Sequence, residues 1–154
     1  MVMMLLGFSG PPRQVIPCGA STAHFSGSIT SVRSGNWSNA ATWGGRVPGP
    51  NDAPVIAAGN TVIADRDVTI AGMHVAGKLI VDPTRSVVIN SSKNILVTGQ
   101  WLMQPAKASS IQTLRFTGID EDKFVGSGME MLSSDIGLWV MGAGQLLLHG
   151  QTKN

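Results

Sequence analysis

The sequence predicts an all-β fold: the N-terminal coils of a right-handed parallel β-helix, closed by a Trp/Pro-rich capping segment. Three observations predict it. First, a short strand with a corner glycine recurs. Val75-Ala76-Gly77-Lys78-Leu79-Ile80-Val81 returns as Val97-Thr98-Gly99-Gln100-Trp101-Leu102-Met103, and more loosely as Gly142-Ala143-Gly144-Gln145-Leu146-Leu147-Leu148. Gly77, Gly99 and Gly144 stand 22 and then 45 positions apart, the second spacing close to two further units of the first. A period above twenty residues is the mark of stacked coils in a solenoid. Second, the parity is that of extended chain. Met73, Val75, Gly77, Leu79 and Val81 share one face, as do Ile95, Val97, Gly99, Trp101 and Met103, and Val140, Gly142, Gly144, Leu146 and Leu148 form a third such layer. Third, charged residues are only 13% of the chain while Gly is 19 of 154, a balance that suits short strands and tight turns rather than solvated helices.

At 154 residues the chain is one domain's worth, long enough to bury a core. Its net charge of +2 comes without a basic run, so neither nucleic acid nor an anionic membrane is an expected partner. The single cysteine, Cys18, excludes an internal disulfide. No apolar run reaches the ~20 residues of a transmembrane helix. Met1 to Phe8 is apolar and, with Cys18-Gly19-Ala20 as a small-x-small cleavage site, residues 1–20 read as a signal peptide or a disordered leader.

Residues 21–34 form an entry segment. Gly35-Asn36-Trp37-Ser38, Thr42-Trp43-Gly44-Gly45 and Val47-Pro48-Gly49-Pro50-Asn51-Asp52 follow. Pro48, Pro50 and Pro54 forbid a helix here, and the two tryptophans predict a lid over the end of the stack. Strands are expected at Val55–Ala58, Thr61–Ala64, Val68–Ile70, Met73–Val75, Lys78–Val81, Val87–Ile89, Ile95–Val97 and Gln100–Met103, divided by Gly59-Asn60, Asp65-Arg66-Asp67, Ala71-Gly72, Asp82-Pro83 and Asn90 to Asn94. The opposite parity carries His74, Ala76, Lys78, Thr98, Gln100, Gln145 and His149, an outward polar face. Ile80, Leu102 and Leu147 interrupt it and imply partial cover. Leu114 to Phe116 reads as a strand, 118–135 as a non-repeating excursion with a helical turn around Met129 to Leu132, and Ile136 to Val140 as a return to strand. The repeating domain spans 35–149. Residues 150–154 read as the truncated end of a longer β-helix, because nothing after His149 could cap an open coil.

From Gly35 to Gly99 the chain resembles the eight-glycine domain known from fibrocystin and from the cell-surface and secreted proteins that depolymerise hyaluronan. The resemblance rests on Gly35-Asn36-Trp37-Ser38, Thr42-Trp43-Gly44-Gly45, Val47-Pro48-Gly49, Asp52, Gly59, Val75-x-Gly77-x-Leu79 and Ile95-x-Val97-x-Gly99, which stand in that family's order. It covers roughly Ser31 to Met103. It implies a secreted or cell-surface, β-rich module that begins a longer right-handed β-helix and serves in ligand binding or carbohydrate processing. After Trp101 the chain departs from the animal members, with Met103-Gln104-Pro105-Ala106-Lys107 and then the excursion. It looks like a bacterial-type member or fragment, and none of the hyaluronan-degrading members' catalytic residues carries over.

The candidate ligand-binding residues are Trp37, Trp43, Asp65 and Asp67. Paired carboxylates on a β-helix can cleave glycosidic bonds or hold calcium, although Asp-Arg-Asp at a strand end more often breaks pairing and solvates a turn. Trp37 and Trp43 could stack on a sugar ring, although a structural lid is the preferred reading. Asp120, Glu121, Asp122 and Asp135 fail the calcium-loop spacing because Phe124 takes an oxygen ligand's place. His24, His74 and His149 lack metal-ligand spacing, and the latter two read as surface histidines. Gly126-Ser127-Gly128 is too short for a nucleophile elbow. No catalytic residue, metal ligand or cofactor is assigned. The expected function is a non-catalytic extracellular module that caps a longer β-helix and contributes to recognition of a polysaccharide or protein ligand, with the remainder of that β-helix as its other partner. The alternatives are the N-terminal part of a hyaluronidase-like, polysaccharide-degrading enzyme with its catalytic groups mostly beyond this chain, and a structural or adhesive stalk.

Overall fold

The computed structural model describes residues 29–119 and 136–150. These residues form twelve short strands and one 3-10 turn. After β1 (Gly35–Asn36) and the 3-10 turn at Ala40–Trp43, the second coil holds β2 (Val55–Ile56), β3 (Thr61–Ala64) and β4 (Val68–Ile70). The third holds β5 (Met73–Val75), β6 (Lys78–Val81) and β7 (Val87–Ser91). The fourth holds β8 (Ile95–Val97), β9 (Gln100–Met103) and β10 (Gln112–Phe116), and the last β11 (Leu138–Val140) and β12 (Gln145–Leu148).

The strands assemble into three sheets, β2-β5-β8-β11, β1-β3-β6-β9-β12 and β4-β7-β10. Every ladder is parallel. The molecule is thus an all-β, β-helix-like stack of coils. Leu79 pairs with Trp101 and Trp101 with Leu146, so side chains read as successive repeats do stand above one another. The core is a set of such columns: Ile56, Val75 and Val97; Met73 and Ile95; Val62, Leu79 and Trp101; Val68 and Ile89. All of these are essentially fully buried. Each aliphatic side chain so buried contributes about 1.5–3 kcal/mol, which lets a chain with no α-helix among its described residues hold together. Among those residues, no helix is long and apolar enough to cross a membrane.

The spacing of 45 between Gly99 and Gly144 is a single coil, not two. Strand β12 pairs directly with β9, and the extra length lies in the connection from β10 to β11. Earlier coils turn the same corner with two or three residues, from Ile70 to Met73 and from Ser91 to Ile95. Strand β2 stops at Ile56 rather than Ala58, because Asn60 N–H closes a turn on the Ala57 carbonyl and Gly59 takes φ 84°. Strand β7 runs on to Ser91, whose hydroxyl donates to the Lys93 carbonyl from a buried, inward position. The expected helical turn at Met129 to Leu132 lies outside the described residues.

One further expectation gains its physical reason and one is corrected. The repeating glycines stand at corners, and none of Gly77, Gly99 and Gly144 has a positive φ. A Cβ on Gly77 would collide with the Ala57 carbonyl oxygen, on Gly99 with that of Gly77, and on Gly144 with that of Val97. Glycine recurs because the corner of each coil rests on the backbone of the coil before it. His74 is not a surface residue: it is 8% exposed, and Leu96, beside it in the ladder, is 3% exposed. The outward face of the first sheet is covered at this height, so parity alone misassigned it.

Candidate functional site

The closed end of the stack is built by the residues around two tryptophans. Trp37 N–H donates to the Ile63 carbonyl at 2.7 Å and extends the second sheet past β1. The chain then turns. Asn39 Oδ1 accepts from Ala41 N–H at 3.0 Å at the start of the 3-10 turn, and Gly44, at φ 79°, supplies the left-handed residue that ends it. This geometry brings Trp43 back onto Trp37, with ring centroids 4.8 Å apart and planes at 67°. Trp43 Nε1–H donates to the Trp37 carbonyl at 2.9 Å. Trp37 and Trp43 are 2% and 4% exposed, so both rings pack as the lid.

Asp52 shapes the proline-rich loop that follows. Arg46 donates to both of its carboxylate oxygens, at 2.6 and 2.9 Å, and Gly49 N–H donates at 2.7 Å. The Asp52 carbonyl accepts from Ala71 N–H at 2.8 Å, which pins the loop to the next coil. The Arg46 hydrogen bonds, aided by Gly49, hold the Asp52 carboxyl below its ordinary value. Between this loop and the β3–β4 turn lies an open cleft of about 290 Å³. Trp37 and loop residues 47–50 line one side, and Arg66, Asp67, Val68 and Thr69 the other.

The structure separates the two aspartates that the sequence places together. Asp65 accepts from Ser38 N–H at 3.0 Å and from Ser38 Oγ–H at 2.6 Å, toward the preceding coil. Asp67 accepts from Val88 N–H at 2.8 Å, toward the following coil. They secure opposite layers and do not converge as a general acid and base would. Burial alone would raise the Asp65 carboxyl, but the Ser38 bonds outweigh it and hold it below its ordinary value. The carboxylate stacked beside Asp65 is Asp82, one coil on, because Ala64 pairs with Val81. Thr84, through its hydroxyl at 2.7 Å and its N–H at 2.9 Å, holds Asp82 low. Arg85 joins the two, with Nε 3.5 Å from Asp82 and Nη1 donating to the Asp65 carbonyl at 3.4 Å.

Of the four expected ligand residues, then, Trp37 and Asp67 meet at the cleft, while Trp43 and Asp65 serve the lid and the stack. Arg66, Thr69, Asp82 and Arg85 were not singled out from the sequence. The signal that finds Asp82 is the coil offset: once β3 is laid on β6, the residue after each strand shares a corner. Asp120, Glu121, Asp122 and Asp135 lie outside the described residues, as do Cys18 and His24. Among the described residues no cluster of three His, Cys, Asp or Glu side chains could hold a metal ion.

With this architecture in view, the comparison with known families is decisive: the model of the G8 domain matches residues 42–154. The chain belongs to the G8 domain family. No curated protein and no solved structure matches it. In this G8 domain the recurrent features have separate physical tasks. Trp43 and Gly44 close the lid, Asp52 folds the proline loop, and Gly77 and Gly99 let successive coils touch.

Proposed function

We propose that this G8 domain is an extracellular, non-catalytic module that caps the end of a longer right-handed parallel β-helix and contributes to recognition of a carbohydrate or protein ligand. The observation that carries the reading is the asymmetry of the two ends. One end is sealed by Trp37 and Trp43. At the other, β10, β11 and β12 are edge strands among the described residues, and Val140 and Leu148, on the inward parity, are 44% and 57% exposed. An apolar edge carrying Arg115 as its one charged side chain is a template for a further coil rather than a finished surface. Right-handedness follows the general preference of parallel crossovers. The extracellular reading rests on the family resemblance and on the leader-like residues 1–20. The ligand face in this reading is the cleft shared by Trp37 and Asp67. The separation of Asp65 from Asp67 favours recognition over catalysis within this chain.

The test has two arms. Expression with the native leader should deliver the chain to the medium or the cell surface, and retention inside the cell would overturn the localisation. A polysaccharide and protein array should show binding without turnover. Release of sugar ends by this chain alone, lost on Asp65→Asn and Asp67→Asn, would instead establish the enzyme.

A further inference from the structure

Among the described residues, the third sheet lacks a strand that the other two possess. In the first coil, Thr30 bridges to Val55 and β1 pairs with β3, so both other sheets begin there. Among the described residues the third sheet begins only with β4, and the proline loop passes on the far side of the cleft from that strand. Pro48 and Pro50 have no N–H to give. Among the described residues the top edge of β4 is therefore open, and the cleft is the space along it.

The direction of the free groups can be read from their neighbours. Ser92 N–H donates to the Ile70 carbonyl at 3.2 Å, so Ile70 faces the following coil. Ala71 N–H donates to Asp52, toward the loop. Successive residues of a strand alternate, so Thr69, two before Ala71, turns its N–H and carbonyl toward the loop as well, into the cleft. Arg66 stands at the same cleft, exposed, with no ion pair or hydrogen bond among the described residues.

We propose that this cleft binds an extended acidic peptide, which adds to β4 as the missing first strand of the third sheet, pairs with the backbone of Thr69 and places a carboxylate against Arg66. This rests on the reading of the chain as a recognition module and names the ligand. Strand addition takes its affinity from main-chain hydrogen bonds and its selectivity from flanking side chains. Strand β4 is three residues long, about 10 Å, so the paired segment is comparably short. Thr69 presents one N–H and one carbonyl side by side, the donor and acceptor that an extended peptide backbone answers together.

The experiment uses the full chain, labelled with nitrogen-15, and the probe acetyl-Val-Asp-Val-Asp-Val-amide at millimolar concentration. Amide exchange at Thr69 should slow about tenfold. The per-N-methylated peptide should give no protection, and the lysine-for-aspartate peptide should bind several-fold more weakly. Arg66→Gln should abolish that preference while leaving the protection by a bound peptide intact. Unchanged exchange at Thr69 under saturating peptide would overturn the proposal. So would a uronic-acid tetrasaccharide that shifts the cleft amides when the peptide does not, and that outcome would leave the recognition reading standing.

Discussion

The carbonyl oxygen of Gly77 occupies the place where a side chain at Gly99 would begin. That carbonyl also accepts from Gln100 N–H at 2.8 Å, so it cannot turn away without breaking the ladder. Gly99→Ala therefore forces two coils apart and should cost at least the 1–3 kcal/mol typical of overpacking. Gly150→Ala, where an added Cβ meets nothing within 4 Å, should stay within about 0.5 kcal/mol of the parent. Urea unfolding midpoints at constant slope measure both.

The lid makes a second prediction. Trp43→Ala removes a buried ring and its edge-to-face contact with Trp37, and should cost about 3–5 kcal/mol. Trp43→Phe keeps most of the apolar volume but leaves the Trp37 carbonyl without the indole N–H. It should cost about 1–3 kcal/mol. If the tryptophans instead served a ligand, both variants would unfold at the parent's midpoint and differ only in binding.

Much of this fold is legible in the sequence because a parallel coil repeats its apolar parity. Strands β3 to β6, β8 and β9 fall within the bounds that the alternation of Thr61 to Met103 predicts. Contacts between layers are less legible. Asp65 and Asp67 are two apart and look paired, yet a turn sends them to different coils, while Asp65 and Asp82 look unrelated and are neighbours. His74 looks outward by parity, and nothing local announces that its face is covered. The cleft is invisible for the same reason: it is defined by a strand that the proline loop does not form.

The open edge makes a third prediction. Val140 and Leu148 are exposed, so Val140→Lys with Leu148→Lys should change stability by no more than about 1 kcal/mol. It should nevertheless reduce concentration-dependent association, because charged side chains block edge-to-edge pairing. Sedimentation velocity over a hundredfold concentration range would read the difference. Equal association of parent and variant would show that these strands are not the adhesive surface.

Acid should destabilise the chain in two separate windows. Burial pushes the His74 imidazole below its ordinary value of 6.5. Nε2 is 2.9 Å from Thr98 Oγ1, whereas Nδ1 is buried without a partner. The folded chain thus takes up this proton less readily than the unfolded chain. The associated stability is fully present above about pH 6.5 and is lost as pH falls through the lower folded value. Asp52, Asp65 and Asp82 are held below the ordinary 3.8 by Arg46, Ser38 and Thr84 respectively. Their contribution is present above that value and disappears as pH falls beneath it. The thermal midpoint should therefore fall first as pH drops below about 6.5 and again below about pH 4. His74→Leu should flatten the upper step and leave the lower one, and Asp52→Asn should leave the upper step and shrink the lower one, to which Asp65 and Asp82 still contribute. A single step near pH 4 in the parent would show that the His74 proton is not linked to folding.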